Sequence, residues 1–192
     1  MNVIRIVNKA DAKAILAIYA PYILHTSYTF ETEIPSAEDF AQRINTYIET
    51  WPWLVCETDG VLTGYAYATR HRERVAYQWC VESSVYIHER FHGQGIGVAL
   101  YRALFKILKH QGFRNVYAGI TLPNNKSVTF HEKLGFTWFA DYENIGYKHG
   151  KWNTVSWWLK QINEYSAEPL APVKFKAIPS SQLQSILEDQ SF

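Results

Sequence analysis

The sequence predicts one mixed α/β domain whose central sheet is flanked by helices. Three observations carry this. Apolar residues recur at helical spacing from Ile96 to Gln111, with strand-like runs on either side. Earlier, Asp59-Gly60 joins two apolar strand patterns as a tight turn joins a hairpin. Of the 192 residues, 47% are hydrophobic and 19% charged, a balance that supports a sizeable core rather than disorder. A hairpin-rich first half followed by a β-α-β unit is the order of a mixed sheet.

The elements follow in chain order. Asp11 can cap a helix whose apolar face holds Ile15, Ile18, Tyr19 and Tyr22, and Pro21 bends or ends it. A second helix is expected over 36–50, after Pro35. Trp53 to Glu57 and Val61 to Thr69 form the hairpin. Val75 to His88 is β-rich. On the helix from Ile96, residues Leu100, Ala103, Leu104, Ile107 and Leu108 share a face, and Gly112 stands at the expected C-terminal cap. Asn115 to Thr121 reads as a strand, Ser127 to Leu134 as a short helix stopped by Gly135, and further strands run to about Lys160. Beyond Gln161, Pro169, Pro172 and Pro179 interrupt a polar stretch ending in a weak helical pattern near Leu183 and Leu187. The division expected is a domain over 1–161 and an extension over 162–192.

Bulk properties exclude several classes. A formal net charge of +1 gives no electrostatic case for nucleic acid. No apolar run reaches the ~20 residues of a membrane helix, and the start, Met1 to Arg5, lacks the build of a signal peptide. The seven His show no metal-ligand spacing, so no metal is expected. Cys56 and Cys80 lie in apolar contexts; a disulfide stays open on sequence, but a reducing cytoplasm is the simpler reading. Aromatics reach 16%, enough for a packed interface or a substrate pocket as well as a core.

The most specific feature is Val85-Tyr86-Ile87 followed by His92-Gly93-Gln94-Gly95-Ile96-Gly97. A strand passes through a glycine loop straight into the long helix. Glycines let the backbone come close to a ligand, and the helix start offers unpaired N–H groups and a positive dipole end. Together these suit a pyrophosphate. Taken alone, the pattern fits a bare glycine-rich helix entry equally well. It is neither a Walker loop nor G-x-G-x-x-G.

Strand, glycine loop, helix and strand, then Pro123 to Ser127 and His131-Glu132-Lys133-Leu134-Gly135-Phe136, resemble the GNAT superfamily of N-acetyltransferases, with His92 where Arg or Gln is usual. Phe30-Glu31, Pro52 to Val55, Gly64 to Ala68, Val81 to Tyr86 and Gly146 to Trp152 extend the resemblance to the phosphinothricin acetyltransferases over residues 3–160. The resemblance implies the acyl-coenzyme A N-acyltransferase fold and acetyl-coenzyme A as co-substrate. It places Val85, Tyr86 and Ile87 along the pantetheine, Gly93, Gln94, Gly95, Ile96, Gly97 and Val98 on the pyrophosphate, and Asn124 and Ser127 on the coenzyme arm. On their own, Asn124 and Ser127 fit a turn and a helix cap better.

Acetylation needs a neutral amine and therefore a base. A carboxylate in an apolar strand has a raised pKa, so Glu82 is the candidate; the plain reading is a strand-end carboxylate paired with Arg72 or Arg74. The oxyanion donor is most simply a backbone N–H near Tyr86. The resemblance makes His131 the general acid for the thiolate, where a lone His is otherwise a packing or surface residue. Arg72 and Arg74, two apart on an extended segment, suit a carboxylate and a phosphinate or sulfoximine group; the competing reading is a solvated charged turn. Arg74, nearer the Glu82 strand, is the stronger candidate, and the resemblance adds Phe30 to the substrate site. His71 and Glu73 are expected to face solvent; Lys148, His149 and Trp152 read as a turn with packing.

The implied substrate is a small amino acid such as L-phosphinothricin, methionine sulfoximine or methionine sulfone, and the implied assembly a homodimer. Alternatives are another amine (an antibiotic, a polyamine or a protein N-terminus) and a non-catalytic coenzyme A-binding module.

Overall fold

The computed structural model describes residues 2–188. Strand β1 spans Asn2–Ile6, and helices α1 and α2 span Ala12–His25 and Ala37–Tyr47. The hairpin strands are β2 (Trp53–Thr58) and β3 (Val61–Arg70), followed by β4 (Cys80–Ile87). Asp59 and Gly60 between β2 and β3 lie at φ 51° and 79°, as a two-residue hairpin turn requires. Next come α3 (Ile96–Gln111), β5 (Asn115–Thr121) and α4 (Asn125–Lys133). The last elements are β6 (Thr137–Lys148), β7 (Lys151–Gln161) and α5 (Ser180–Glu188).

The seven strands form one sheet in the order β1-β2-β3-β4-β5-β7-β6. Every pairing is antiparallel except β4 with β5, which the α3 crossover joins in parallel. Alternation along β2 separates the two faces. Leu54 and Cys56 pack on the α3 side with Leu100, Leu104, Ile107 and Val116. Trp53 and Val55 pack on the α1–α2 side with Ile15, Ile23, Phe40 and Ile44.

Three local expectations are corrected. The Asp11 carboxylate does not cap α1: it accepts two 2.8 Å bonds from Arg5 and one from the Asn8 N–H. Asn8 caps the one-turn 3-10 helix that precedes α1. Pro21 does not end α1, which continues to His25 because Ile18, Tyr19 and Ile23 around it are buried. Residues 75–79 are no strand: Val75–Tyr77 form a 3-10 turn, and β4 begins at Cys80. Cys56 and Cys80 are free thiols.

The segment after β7 packs on the domain. Asn163 Nδ2 donates to the carbonyls of Lys109 and Phe113, and the Gln111 side chain donates to the Val173 carbonyl. Phe175, Ile178 and Leu183 are buried in the α3-side core. No described helix is long and apolar enough to cross a membrane.

Candidate active site

The parallel pairing of β4 with β5 holds for Cys80↔Asn115, Val81↔Val116 and Glu82↔Tyr117, and goes no further. Beyond it, β4 stays paired with β3 as far as Ile87, while β5 stays paired with β7 as far as Thr121. The strands therefore part, and the β4 edge over Ser84 to Ile87 has no strand neighbour on that side. Apart from the Ile87 carbonyl, which Tyr22 Oη already occupies, its outward backbone groups have no strand partner and can bond an extended ligand.

The glycine loop lies at the open end of this split. Gly93 and Gly95 both have φ +78°, a conformation that favours glycine, and no atom lies within 4 Å of where a Cβ would stand. Gly95 is the N-cap of α3 and supplies no side-chain cap, so the first N–H groups of a 16-residue helix are unpaired by side chains. Open space, free N–H groups and a positive dipole end fit a pyrophosphate. At Gly97 the missing side chain also makes room for packing: a Cβ there would meet the Phe130 ring at 3.2 Å. His92, in the usual Arg or Gln position, places Nε2 3.0 Å from the Ile87 carbonyl, which also accepts a 2.7 Å bond from Tyr22 Oη. Gln94 Nε2 donates to the Arg90 carbonyl within the loop.

At the closed end of the split lies a cleft of about 300 Å³, lined among others by Tyr28, Phe30, Glu82, Ser84, Tyr142 and Trp157. Burial raises the Glu82 carboxyl above the usual carboxylate range, and His71 and Arg72 oppose that rise. His71 Nδ1 lies 2.9 Å from Glu82 Oε1. Its ring stacks on Tyr117 at 4.2 Å and 11°, and its side chain is 14% exposed. This corrects two expectations: His71 does not face solvent, and the partner of Glu82 is neither Arg72 nor Arg74. Arg72 is exposed but acts electrostatically on Glu82. Arg74 is exposed at the head of the Val75–Tyr77 turn and makes no cap bond there. Neither guanidinium lines the cleft.

The segment carrying Tyr28 and Phe30 is held from the far end of the sheet. Lys148, 5% exposed, donates from Nζ to the Thr29 carbonyl at 2.8 Å, and His149 Nε2 is 3.1 Å from the Thr26 carbonyl. Lys148 ends β6 and His149 opens the β6–β7 turn, where His149 and Gly150 take positive φ. A methyl at Gly146 would overlap the Phe30 ring. Lys148, His149 and Gly146 thus position the aromatic wall, a role for which sequence offers no local signal.

His131 lies elsewhere. It is 4% exposed on α4, with Phe136, Phe130 and Tyr101 rings 5.0, 5.1 and 5.6 Å away. Its Nδ1 is 2.8 Å from the Ser127 carbonyl, which only accepts, so Nδ1 carries the proton. Nε2 is then the acceptor facing Tyr101 Oη at 3.4 Å. Burial holds this imidazole down, to about 4, which makes it neutral at pH 7. Asn124 Oδ1 accepts from the Ser127 N–H and caps α4, and Ser127 Oγ is 3.3 Å from His131 Nδ1. Among the described residues no group of three or more His, Cys, Asp or Glu could hold a metal ion.

A mixed sheet split beside an uncapped helix start, with a half-buried carboxylate at the end of the split, defines a coenzyme A-dependent acyltransferase. Residues 4–157 match the GNAT acetyltransferase domain, and the chain belongs to that family. Phosphinothricin N-acetyltransferase of Streptomyces viridochromogenes is 39% identical over 166 residues, covering 86% of this chain and 90% of that protein. The L-methionine sulfoximine/L-methionine sulfone acetyltransferase of Salmonella typhimurium is 34% identical over 169 residues, covering 85% and 96%. The crystal structure of a GNAT superfamily phosphinothricin acetyltransferase from Sinorhizobium meliloti, in complex with acetyl-coenzyme A, matches with a TM-score of 0.84 at 32% identity. It covers 88% of this chain and 93% of that one.

Proposed function

We propose that this protein transfers acetyl from acetyl-coenzyme A to the α-amine of a small amino acid such as L-phosphinothricin, methionine sulfoximine or methionine sulfone. The observation that carries the reading is the half-buried Glu82 in an aromatic-walled cleft, at the end of the split that leads to the glycine loop. The Streptomyces and Salmonella relatives act on such amino acids by name.

Acetyl-coenzyme A supplies an activated acetyl thioester. The unpaired strand edge along Val85, Tyr86 and Ile87 aligns its arm, and residues Gly93 to Val98 take the pyrophosphate. Asn124 and Ser127 flank the arm, their cap geometry fixing the start of α4. Glu82 accepts a proton from the incoming ammonium, directly or through water, because a raised carboxyl pKa suits a base near neutral pH. A backbone N–H near Tyr86 steadies the developing oxyanion. As a neutral imidazole whose proton is on Nδ1, His131 would act as acid only through Tyr101 or by a tautomer change. Its support for the reaction is chiefly in setting α4 against the coenzyme loop. A thiol-release assay with acetyl-coenzyme A tests the reading across methionine sulfoximine, phosphinothricin, standard amino acids, polyamines and aminoglycosides. Preference for a polyamine or an aminoglycoside would overturn it.

Phe30 forms one wall of the substrate site, and Arg72, whose charge reaches Glu82 from outside the cleft wall, with Arg74 beyond it, draws the carboxylate and the second polar group of a zwitterion to the cleft mouth. Arg72→Ala should raise KM for the amino acid about 10- to 150-fold, the loss of one charge-assisted hydrogen bond, and leave KM for acetyl-coenzyme A unchanged. Arg74→Ala should have the smaller effect. Steady-state kinetics with both substrates varied checks this, and flat values for both variants would return the segment to a solvated turn.

The working form is a homodimer. Trp138, Ile145, Tyr147 and Trp152 on the β6–β7 hairpin are all more than half exposed, an apolar surface of the kind a partner covers. Light scattering at micromolar concentration should give twice the chain mass; a monomer would defeat this. The catalytic domain is 1–161 and the extension 162–192; the described part of the extension packs against α3. Free Cys56 and Cys80 suit the reducing cytoplasm, which cell fractionation would test.

A further inference from the structure

We infer that His71 is a positioning residue for the base: its Nδ1–H holds Glu82 Oε1, leaving Oε2 to take the proton of the substrate ammonium. The inference rests on the acetyltransferase reading above. An ionised carboxylate only accepts hydrogen bonds, so at 2.9 Å the imidazole nitrogen is the donor. Glu82 makes no other side-chain hydrogen bond to a described residue, and it, not His71, lines the cleft.

The fold builds this pair deliberately. Tyr117 is the residue opposite Glu82 in the last parallel pair before the strands part. Its ring carries the His71 imidazole face to face, and Trp157 closes the edge at 6.0 Å and 75°. The imidazole is thus fixed by packing on β5 and β7 although its backbone lies just beyond β3. Proton transfer balances simply. The ammonium N–H bond breaks, the O–H bond forms at Oε2, and the His71 Nδ1–H remains on Oε1 throughout. The other charged or titratable groups facing Glu82 are Arg72, Tyr28 and Tyr142, with Tyr117 behind the imidazole.

His71→Phe keeps the stacked ring and removes the donor. His71→Asn keeps a donor near the Nδ1 position and removes the ring. Loss of the donor should move the acid limb of kcat/KM up by about one to two pH units, so that activity below the limb falls about tenfold per unit. His71→Asn should restore most of that shift, which a merely structural role would not do. The same displacement should appear in the carboxyl ¹³C titration of Glu82 in the coenzyme-free protein, its resonance identified by its absence in Glu82→Gln. That second measurement needs no turnover. Superimposed titrations for wild type and both variants would overturn the inference, and so would equal shifts in His71→Phe and His71→Asn. A wild type without activity on any amino acid would instead overturn the functional reading, with the ¹³C result still deciding the role of His71.

Discussion

Glu82→Gln should lower kcat by about 100- to 10,000-fold, the usual contribution of a general base. The amide cannot take a proton from the substrate ammonium, yet it keeps the size of the carboxyl and an oxygen that can accept from His71. Folding and acetyl-coenzyme A binding should therefore be retained, as a melting curve with and without coenzyme would show. The pH dependence has a definite sign. Burial raises the Glu82 carboxyl pKa, so wild-type kcat/KM is lost as pH falls through that raised value. In the variant that limb should be absent, and the residual rate should follow only the ionisation of the substrate amine. Equal kcat in wild type and variant from about pH 4 to 9, which spans carboxyl and amine titration, would remove Glu82 from the chemistry.

Gly95→Glu should abolish coenzyme binding. At 100 times its dissociation constant a ligand stabilises the folded state by about 2.7 kcal/mol. For a chain of this size that raises the melting temperature by roughly 5–10 °C. Gly95 has φ +78° at the head of α3, with empty space where a side chain would project. A glutamate there puts a carboxylate at the helix dipole end and into the volume assigned to the pyrophosphate. Backbone strain alone does not explain such a loss, and Gly60→Glu is the control. Gly60 has φ +79° and equally open surroundings, but it sits in the β2–β3 turn. The control should melt lower and still gain the full shift with acetyl-coenzyme A. If Gly95→Glu gains it too, the cradle lies elsewhere.

The contrast between Gly95 and His71 shows what each level of information carries. The β2–β3 turn, the limits of α3, the strand Asn115–Thr121 and the glycine loop are all written in contiguous residues. Periodicity of 2 or 3.6, a tight-turn pair and a helix-capping glycine act over a few positions. Glu82 stood out because a carboxylate inside an apolar strand is costly, but that pattern fits an ion-paired carboxylate equally well, and it is the family resemblance that makes Glu82 the base candidate. The sequence by itself thus determined the fold class, the family and the base candidate.

Its partner was not legible. The Arg70 to Arg74 run reads as a solvated charged turn, and nothing local singles out His71. What buries it is Tyr117, brought opposite Glu82 only by the register of a parallel pair closed through α3. Lys148 finds the Thr29 carbonyl across 119 residues of chain. The neutral state of His131 depends on three aromatic rings from two helices and the turn after α4. In each case the deciding force is desolvation or a hydrogen bond between segments far apart in sequence. Only the tertiary structure, by fixing which strands pair and where they part, decides which polar groups leave water together.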